Sequence, residues 1–167
     1  MILDVGCGSR PHGDVNLDRF TGTTSHHIGY IDGRRYMNFV QGNADTLPFR
    51  DEAFTTVYIS HVLEHLPDTH KAVRELKRVS SDTVIIRVPN NPIHEHPEHL
   101  YTWSQTSLIN TLNRHFPSVT VYPHSSHYDL RHSRAFKLIT HFKVIGLPFS
   151  RWFRRLIGVE LIAVCRK

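Results

Sequence analysis

Glycines and carboxylates follow short apolar runs in the first half of the chain, where consecutive parallel strands would end. Gly6 and Gly8 come directly after residues 1–5, and Asp18 closes residues 14–18. A glycine lets backbone approach a ligand closely because it has no Cβ. An acid at the tip of a second strand accepts hydrogen bonds from a ribose in nucleotide-binding sheets. The spacing therefore indicates a nucleoside-type ligand, although a turn cap is the alternative for an isolated Asp18.

A third polar segment follows the apolar residues 38–41. It reads Gly-Asn-Ala-Asp-Thr-Leu-Pro-Phe over residues 42–49. The carboxylate of Asp45 can receive an adenine amino group, and Leu47 and Phe49 can offer apolar surface to the base. The alternative is an Asx-type turn that carries a core phenylalanine.

The elements that must position these residues alternate between short apolar runs and helical patterns, which indicates βαβ units and a mostly parallel sheet. Helices are predicted from Pro67–Asp68 to Ser80, over 104–115, and in pieces over 133–157. Residues 24–36 form either a short helix or an ordered loop. Strands are predicted at 1–5, 14–18, 38–41, 55–60, 83–88, 119–122 and 159–165, with the last two as an antiparallel edge hairpin.

Three segments taken together resemble a known family. They are Asp-Val-Gly-Cys-Gly at 4–8, Gly-Asn-Ala-Asp-x-Leu-Pro-Phe at 42–49 and Val-Leu-Glu-His-Leu at 62–66. Their order and spacing resemble class I S-adenosylmethionine-dependent methyltransferases, in particular the branch of ubiquinone and menaquinone biosynthesis. The resemblance covers about residues 1–90 and implies a Rossmann-like α/β fold.

The resemblance also implies a cofactor, S-adenosylmethionine, which leaves as S-adenosylhomocysteine after its methyl group is transferred to an acceptor. It places Asp18 at the ribose and Ser60 and His61 beside the methyl group. His61 is the candidate base, because an imidazole titrates near neutrality; packing around the fourth strand is the equal alternative. The remaining cofactor-binding positions implied are Asp4, Gly6, Cys7 and Gly8 around the methionine, and Asn43, Ala44 and Asp45 around adenine.

The first loop departs from the family pattern. Arg10 stands where the family usually carries a third glycine, and Gly8 lies only ten residues before Asp18. A parallel connection normally needs a dozen or more residues, so the first crossover helix is predicted to be reduced or missing. One face of the sheet then lacks its usual cover, which either residues 133–157 or a second copy of the chain must supply. Arg10 either complements the methionine carboxylate or is a plain surface arginine.

Composition places the chain among globular proteins. Its 167 residues, 40% hydrophobic and 21% charged, suggest one domain, with 1–90 as the cofactor-binding half and 91–167 as the acceptor side. No apolar run approaches the ~20 residues that cross a bilayer, and no signal peptide is visible. We therefore expect a cytoplasmic protein.

Fourteen histidines are a high number, and His94-x-His96-x-x-His99 has the residue type that transition metals prefer. No carboxylate or cysteine spacing repeats a known metal site, so no metal is expected, and this segment is predicted to line the acceptor pocket.

The expected function is methyl transfer to an unidentified acceptor, most simply a small molecule. The net charge of +5 also permits an RNA or protein methyltransferase, although no further nucleic-acid module is visible. The shortened loop motivates a second alternative, a non-catalytic binding or scaffold protein with the same fold. A hydrolase that uses a metal in the histidine-rich segment is a third.

Overall fold

A computed structural model of the chain describes residues 1–23, 31–33, 36, 38–90, 98–124 and 160–167. Two α-helices and seven strands lie in these ranges, with a 3₁₀ turn at Leu63–His65. The helices are α1 (Thr69–Val79) and α2 (Gln105–Leu112). The strands are β1 (Ile2–Val5), β2 (Val15–Asp18), β3 (Phe39–Gln41), β4 (Phe54–Ser60), β5 (Ser80–Pro89), β6 (Ser118–His124) and β7 (Glu160–Arg166).

The strands form one sheet in the order β3-β2-β1-β4-β5-β7-β6. The first five strands pair in parallel, whereas β7 runs antiparallel to both β5 and β6. This arrangement confirms the predicted Rossmann-like sheet with an antiparallel pair near its C-terminal edge. The sheet brings the carboxyl ends of β1, β2, β3 and β4 to one edge, where open α/β sheets bind ligands.

The connection from β1 to β2 contains no helix among residues 6–14, all of which the structure describes. Residues 6–14 still reach from one strand to the next, because an extended chain of that length spans about 30 Å and β1 is roughly 13 Å long. The returning segment runs beside β1, where the Asp4 carboxylate accepts the His12 amide at 2.8 Å. A Cβ on Gly13 would lie 2.7 Å from the Asp4 nitrogen, so this close approach requires glycine. The predicted loss of the crossover helix is confirmed.

The described core lies on one face of the sheet. The predicted inward face of α1, namely Ala72, Val73, Leu76 and Val79, is fully buried against that face. Strand residues of this face, such as Val57 and Ile86, are buried as well. Residues of the opposite face, such as Tyr58, Ile85 and Val164, are only half-buried. Among the described residues, helices therefore cover one face of the sheet and leave the other half-buried.

Boundaries differ from the prediction in two helices. The Asp68 side chain caps α1 by accepting the Lys71 amide at 2.8 Å, but β5 begins at Ser80 without a spacer, because Ser80 already pairs with Phe54. Helix α2 begins after the Ser104 capping box and ends at Leu112, earlier than predicted. The predicted helices over 133–157, and most of residues 24–36, lie outside the described residues.

Candidate functional site

A cavity of about 660 Å³ opens at the carboxyl ends of the parallel strands. Its wall contains every predicted cofactor-binding residue except Asp4, and it also contains His61. It further includes Arg10, whose role the sequence left open, and side chains that the sequence analysis did not select: Arg19, Phe20, Val62, His65 and Leu66. The residues that were dispersed through the first 61 positions of the sequence are thus neighbours in space.

Asp18 joins the loops that follow β1 and β2. Its carboxylate is buried, accepts the Gly8 amide at 2.9 Å through Oδ2 and accepts the Phe20 amide at 2.9 Å through Oδ1. These two hydrogen bonds, one from the loop after β1 and one from the loop after β2, fix the Asp18 carboxylate in the cavity wall.

Gly6 makes the turn at the end of β1. Its φ is +73°, and a Cβ at this position would lie 2.2 Å from Cγ2 of Val62. The Gly6 and Cys7 amides both donate to the Leu17 carbonyl, at 2.7 and 3.1 Å. A residue with a side chain would push the β1 loop away from Val62 and narrow the cavity.

Two of the predicted methionine-side residues have features that favour a structural role. Asp4 lies behind the cavity wall, where it accepts the His12 amide, and burial raises the pKa of its carboxyl. Cys7 lines the cavity, but burial and then the charges of Asp18 and Asp4 raise the pKa of its thiol to about 12. Cys7 is therefore a neutral thiol near pH 7 and a weak nucleophile.

The segment after β3 presents Asn43, Ala44 and Asp45 to the cavity. Lys71 Nζ lies 3.4 Å from Asp45 Oδ2, so the two side chains form an ion pair beside the cavity. Leu47 and Phe49, considered as surface for the base, do not line the cavity. Leu47 is 4% exposed and Phe49 meets the Phe54 ring edge-to-face at 4.9 Å, so both belong to the core, as the Asx-turn alternative anticipated.

Apolar surface in the cavity comes from other side chains. Phe20, Val62 and Leu66 supply it. Phe20 had a usable signal, because it stands two residues after the acid at the tip of β2. Val62 and Leu66 belong to the Val-Leu-Glu-His-Leu segment, which the sequence analysis used for recognition alone.

His61 sits between two carboxylates at the end of β4. Its Nε2 lies 3.0 Å from Glu160 Oε1, and its Nδ1 lies 3.4 Å from Glu64 Oε1. Glu160 also pairs with Arg87. Burial opposes charge on the imidazole, but the hydrogen bonds to Glu160 and Glu64 outweigh it and raise the pKa of His61 to about 9. An imidazole that already carries its proton is a poor base at neutral pH, so the base role of His61 stays a prediction and the packing alternative gains weight.

Glu160 and Arg87 are functional neighbours that sequence reasoning missed. Burial disfavours a charged Glu160, yet hydrogen bonds from His61 and Arg87 hold its pKa down to about 2. The available signal was a charge inside each of two predicted apolar strands, Arg87 in residues 83–88 and Glu160 in residues 159–165. Buried charges in strands are usually paired.

Two arginines stand at the cavity. Arg10 and Arg19 are exposed and contribute to its wall. The amides of Gly6, Cys7, Gly8 and Arg10 all donate to partners within the chain. Guanidinium groups are thus the cationic donors available there for a ligand carboxylate.

No helix among the described residues is long and apolar enough to cross a membrane. The cytoplasmic location stays a prediction.

Proteins of known family match this chain over the same residues that form the cavity. A family model described as a methyltransferase domain matches residues 3–86, half of the chain. The chain is 35% identical over 89 residues to the ubiquinone/menaquinone biosynthesis C-methyltransferase UbiE of Hahella chejuensis, covering 50% of this chain and 34% of that protein. It is 34% identical over 85 residues to a demethylmenaquinone methyltransferase of Renibacterium salmoninarum, covering 47% and 36%. The matched region spans about a third of the length of these curated relatives.

Solved structures share the fold over 99% of the chain. A SAM-dependent methyltransferase of Thermotoga maritima, described as a possible histamine N-methyltransferase, superposes with a TM-score of 0.68 at 13% identity and is covered to 81%. A SAM-dependent methyltransferase of Archaeoglobus fulgidus gives 0.62 at 18% identity, covered to 85%. The resemblance seen in the sequence is confirmed, and the chain belongs to the methyltransferase domain family.

Proposed function

We propose that the chain is an S-adenosylmethionine-dependent methyltransferase that uses the cavity at the carboxyl ends of β1 to β4. The main support for this proposal is the cavity wall, which combines a glycine turn, a buried acid and the Asn43–Asp45 segment. Membership in the methyltransferase domain family supports the same activity. When bound, S-adenosylmethionine supplies an electrophilic methyl group on a sulfonium centre.

The chain's residues fit this cofactor by their chemistry. Asp18 is held in the cavity wall by the Gly8 and Phe20 amides and would accept hydrogen bonds from the ribose hydroxyls, as acids at the tip of a second strand do in nucleotide-binding sheets. Asp45 pairs with Lys71 at 3.4 Å and would accept a hydrogen bond from an adenine amino group. Phe20 and Leu66 would exclude water from the neighbouring apolar surface, and Arg10 would face the methionine carboxylate.

Calorimetric titration with S-adenosylmethionine and with S-adenosylhomocysteine tests the proposal. We expect both to bind once per chain with Kd values on the order of 10⁻⁶ M, near −8 kcal/mol. ATP is the control, because it shares the adenosine and lacks the methionine. Absence of binding by either sulfur compound would contradict the proposal and favour a scaffold role.

We also propose a small-molecule acceptor, with demethylmenaquinone as the first compound to test because a curated relative is named for it. Incubation with S-adenosylmethionine carrying a labelled methyl group should move label into the quinone fraction. Label in added RNA or protein, with none in the quinone, would overturn this acceptor and leave the cofactor proposal standing.

We further propose that the half-buried sheet face with Tyr58, Ile85 and Val164 receives its cover from residues 133–157 or from a second copy of the chain. Analytical ultracentrifugation distinguishes the two. A dimer supports the second copy, and a monomer excludes it.

A further inference from the structure

We propose that Glu64, His65 and His99 form a binding site for a divalent first-row transition metal ion beside the cavity. One ligand atom from each of the three side chains lies within 4.8 Å of the other two. Two imidazoles and one carboxylate are a ligand set that zinc and iron sites use. The sequence analysis had grouped His99 with His94 and His96, which lie outside the described residues, and had expected no metal.

The first argument is geometric. Metal–ligand bonds of about 2.0–2.2 Å place ligand atoms about 3.4 Å apart in a tetrahedral site. Pairs of ligand atoms that now lie within 4.8 Å therefore need to close by up to about 1.4 Å, which rotation of the half-buried His99 side chain would supply. Three protein ligands leave one coordination position for water or a substrate atom.

The second argument is the state of the Glu64 carboxylate. Glu64 is 0% exposed, and its Oε1 lies 3.4 Å from Nδ1 of His61. Its second oxygen, Oε2, makes no hydrogen bond to the described part of the chain. A buried carboxylate is costly without close partners, and a divalent cation at the second oxygen would relieve that cost.

The third argument is the orientation of His65. Its Nδ1 lies 3.1 Å from the Glu98 carbonyl, and since a carbonyl only accepts, this nitrogen carries the proton. In the tautomer with this proton on Nδ1, the ring lone pair is on Nε2. Metal-binding histidines commonly donate their other ring N–H to a backbone carbonyl, which fixes the ring.

The backbone holds the two halves of the cluster together. The Glu64 carbonyl accepts the Leu100 amide at 2.8 Å and the Tyr101 amide at 3.2 Å, and the rings of His65 and His99 meet edge-to-face at 4.9 Å. His65 also lines the cavity. A bound ion would thus be one side chain away from the cavity, and its open position would take water or an oxygen atom of the acceptor. That role toward an acceptor rests on the proposed methyl transfer, whereas metal binding itself does not.

Calorimetric titration of the untagged, chelator-treated chain with Zn²⁺ tests the proposal, with the visible absorption of bound Co²⁺ as a second measurement. We expect one ion per chain. His99→Ala and Glu64→Gln should each weaken Zn²⁺ binding by about tenfold or more. If Glu64→Gln fails to fold, as judged by circular dichroism, His99→Ala alone decides, because His99 is half-buried.

The matched control is His70→Ala. It removes half of the other close histidine pair, in which His70 Nδ1 lies 2.8 Å from His115 Nε2. Zn²⁺ affinity that survives His70→Ala and falls with His99→Ala supports the site. Affinity that falls with His70→Ala, or that is unchanged by His99→Ala, would overturn it. Titration with S-adenosylmethionine in the presence of chelator is a separate measurement, so loss of metal binding and loss of cofactor binding can be told apart.

Discussion

Replacing Asp18 by alanine should weaken the binding of S-adenosylmethionine and S-adenosylhomocysteine by at least about tenfold. Each charge-assisted hydrogen bond to a ribose hydroxyl is worth about 1.5–3 kcal/mol, and about 1.4 kcal/mol is tenfold in Kd. The substitution also removes the acceptor of the Gly8 and Phe20 amides, which Asp18 holds at 2.9 Å. The ligand therefore loses a hydrogen-bond acceptor, and the loop after β1 loses an anchor. Calorimetry with each ligand measures the change.

Asp14→Ala is the matched control for this prediction. Asp14 belongs to the same segment and also accepts a backbone amide, from Ile2 at 2.8 Å, but it is exposed and does not line the cavity. We expect Asp14→Ala to bind S-adenosylmethionine and S-adenosylhomocysteine with the same Kd values as the wild type. Equal Kd values for Asp18→Ala and wild type would mean that the ribose lies elsewhere. A thermal melt of each variant shows whether the fold is retained.

Replacing Glu160 by glutamine should lower the free energy of unfolding by about 2 kcal/mol, or roughly 4–8 °C in Tm for a domain of this size. Removing one partner of a fully buried ion pair costs about 3–5 kcal/mol. The expected loss in the free energy of unfolding is smaller than this for Glu160→Gln, because the Arg87 and His61 side chains are 26% and 44% exposed and water screens their charges. Urea denaturation at pH 7 measures the loss.

The pH dependence of this effect has a defined sign. The folded pKa of Glu160 is about 2, below its ordinary value of 4.5. The contribution of Glu160 to the free energy of unfolding is therefore present above about pH 4.5 and is lost as the pH falls toward 2. The stabilities of wild type and Glu160→Gln should converge in acid, and a constant gap between pH 7 and pH 3 would contradict the ion-pair account.

Two further variants separate Glu160 from its surroundings. Glu52→Gln removes an exposed acid that pairs with Lys167 at 2.7 Å on the surface, and it should change stability by less than about 1 kcal/mol.

His61→Ala tests the role of His61. If His61 mainly anchors Glu160, the double variant His61→Ala/Glu160→Gln should be little less stable than Glu160→Gln. A large loss of turnover with unchanged stability would instead support the base role.

Much of the cavity was predictable because each of its predicted residues holds a fixed place relative to the end of a strand. Gly6, Asp18 and Asn43–Asp45 each follow an apolar strand, and parallel strands place their carboxyl ends at one edge. The alternating pattern and the resemblance together predicted a mostly parallel, Rossmann-like sheet with an antiparallel pair at its C-terminal edge, but not the order of its strands. The sequence also determined that residues 6–14 are too few for a crossover helix, because that conclusion depends only on chain length.

The tertiary structure alone decided which neighbours surround each group. Leu47 and Phe49 belong to the core rather than to the cavity, because the turn after β3 directs them toward Phe54 and the sheet. His61 contacts Glu160, which lies 99 residues later in the chain. Glu64 and His65 lie close to His99, and the length of the segment between them does not predict this contact. Local periodicity reports which face of an element is apolar, whereas charge pairs and ligand sets depend on which distant elements the fold brings together.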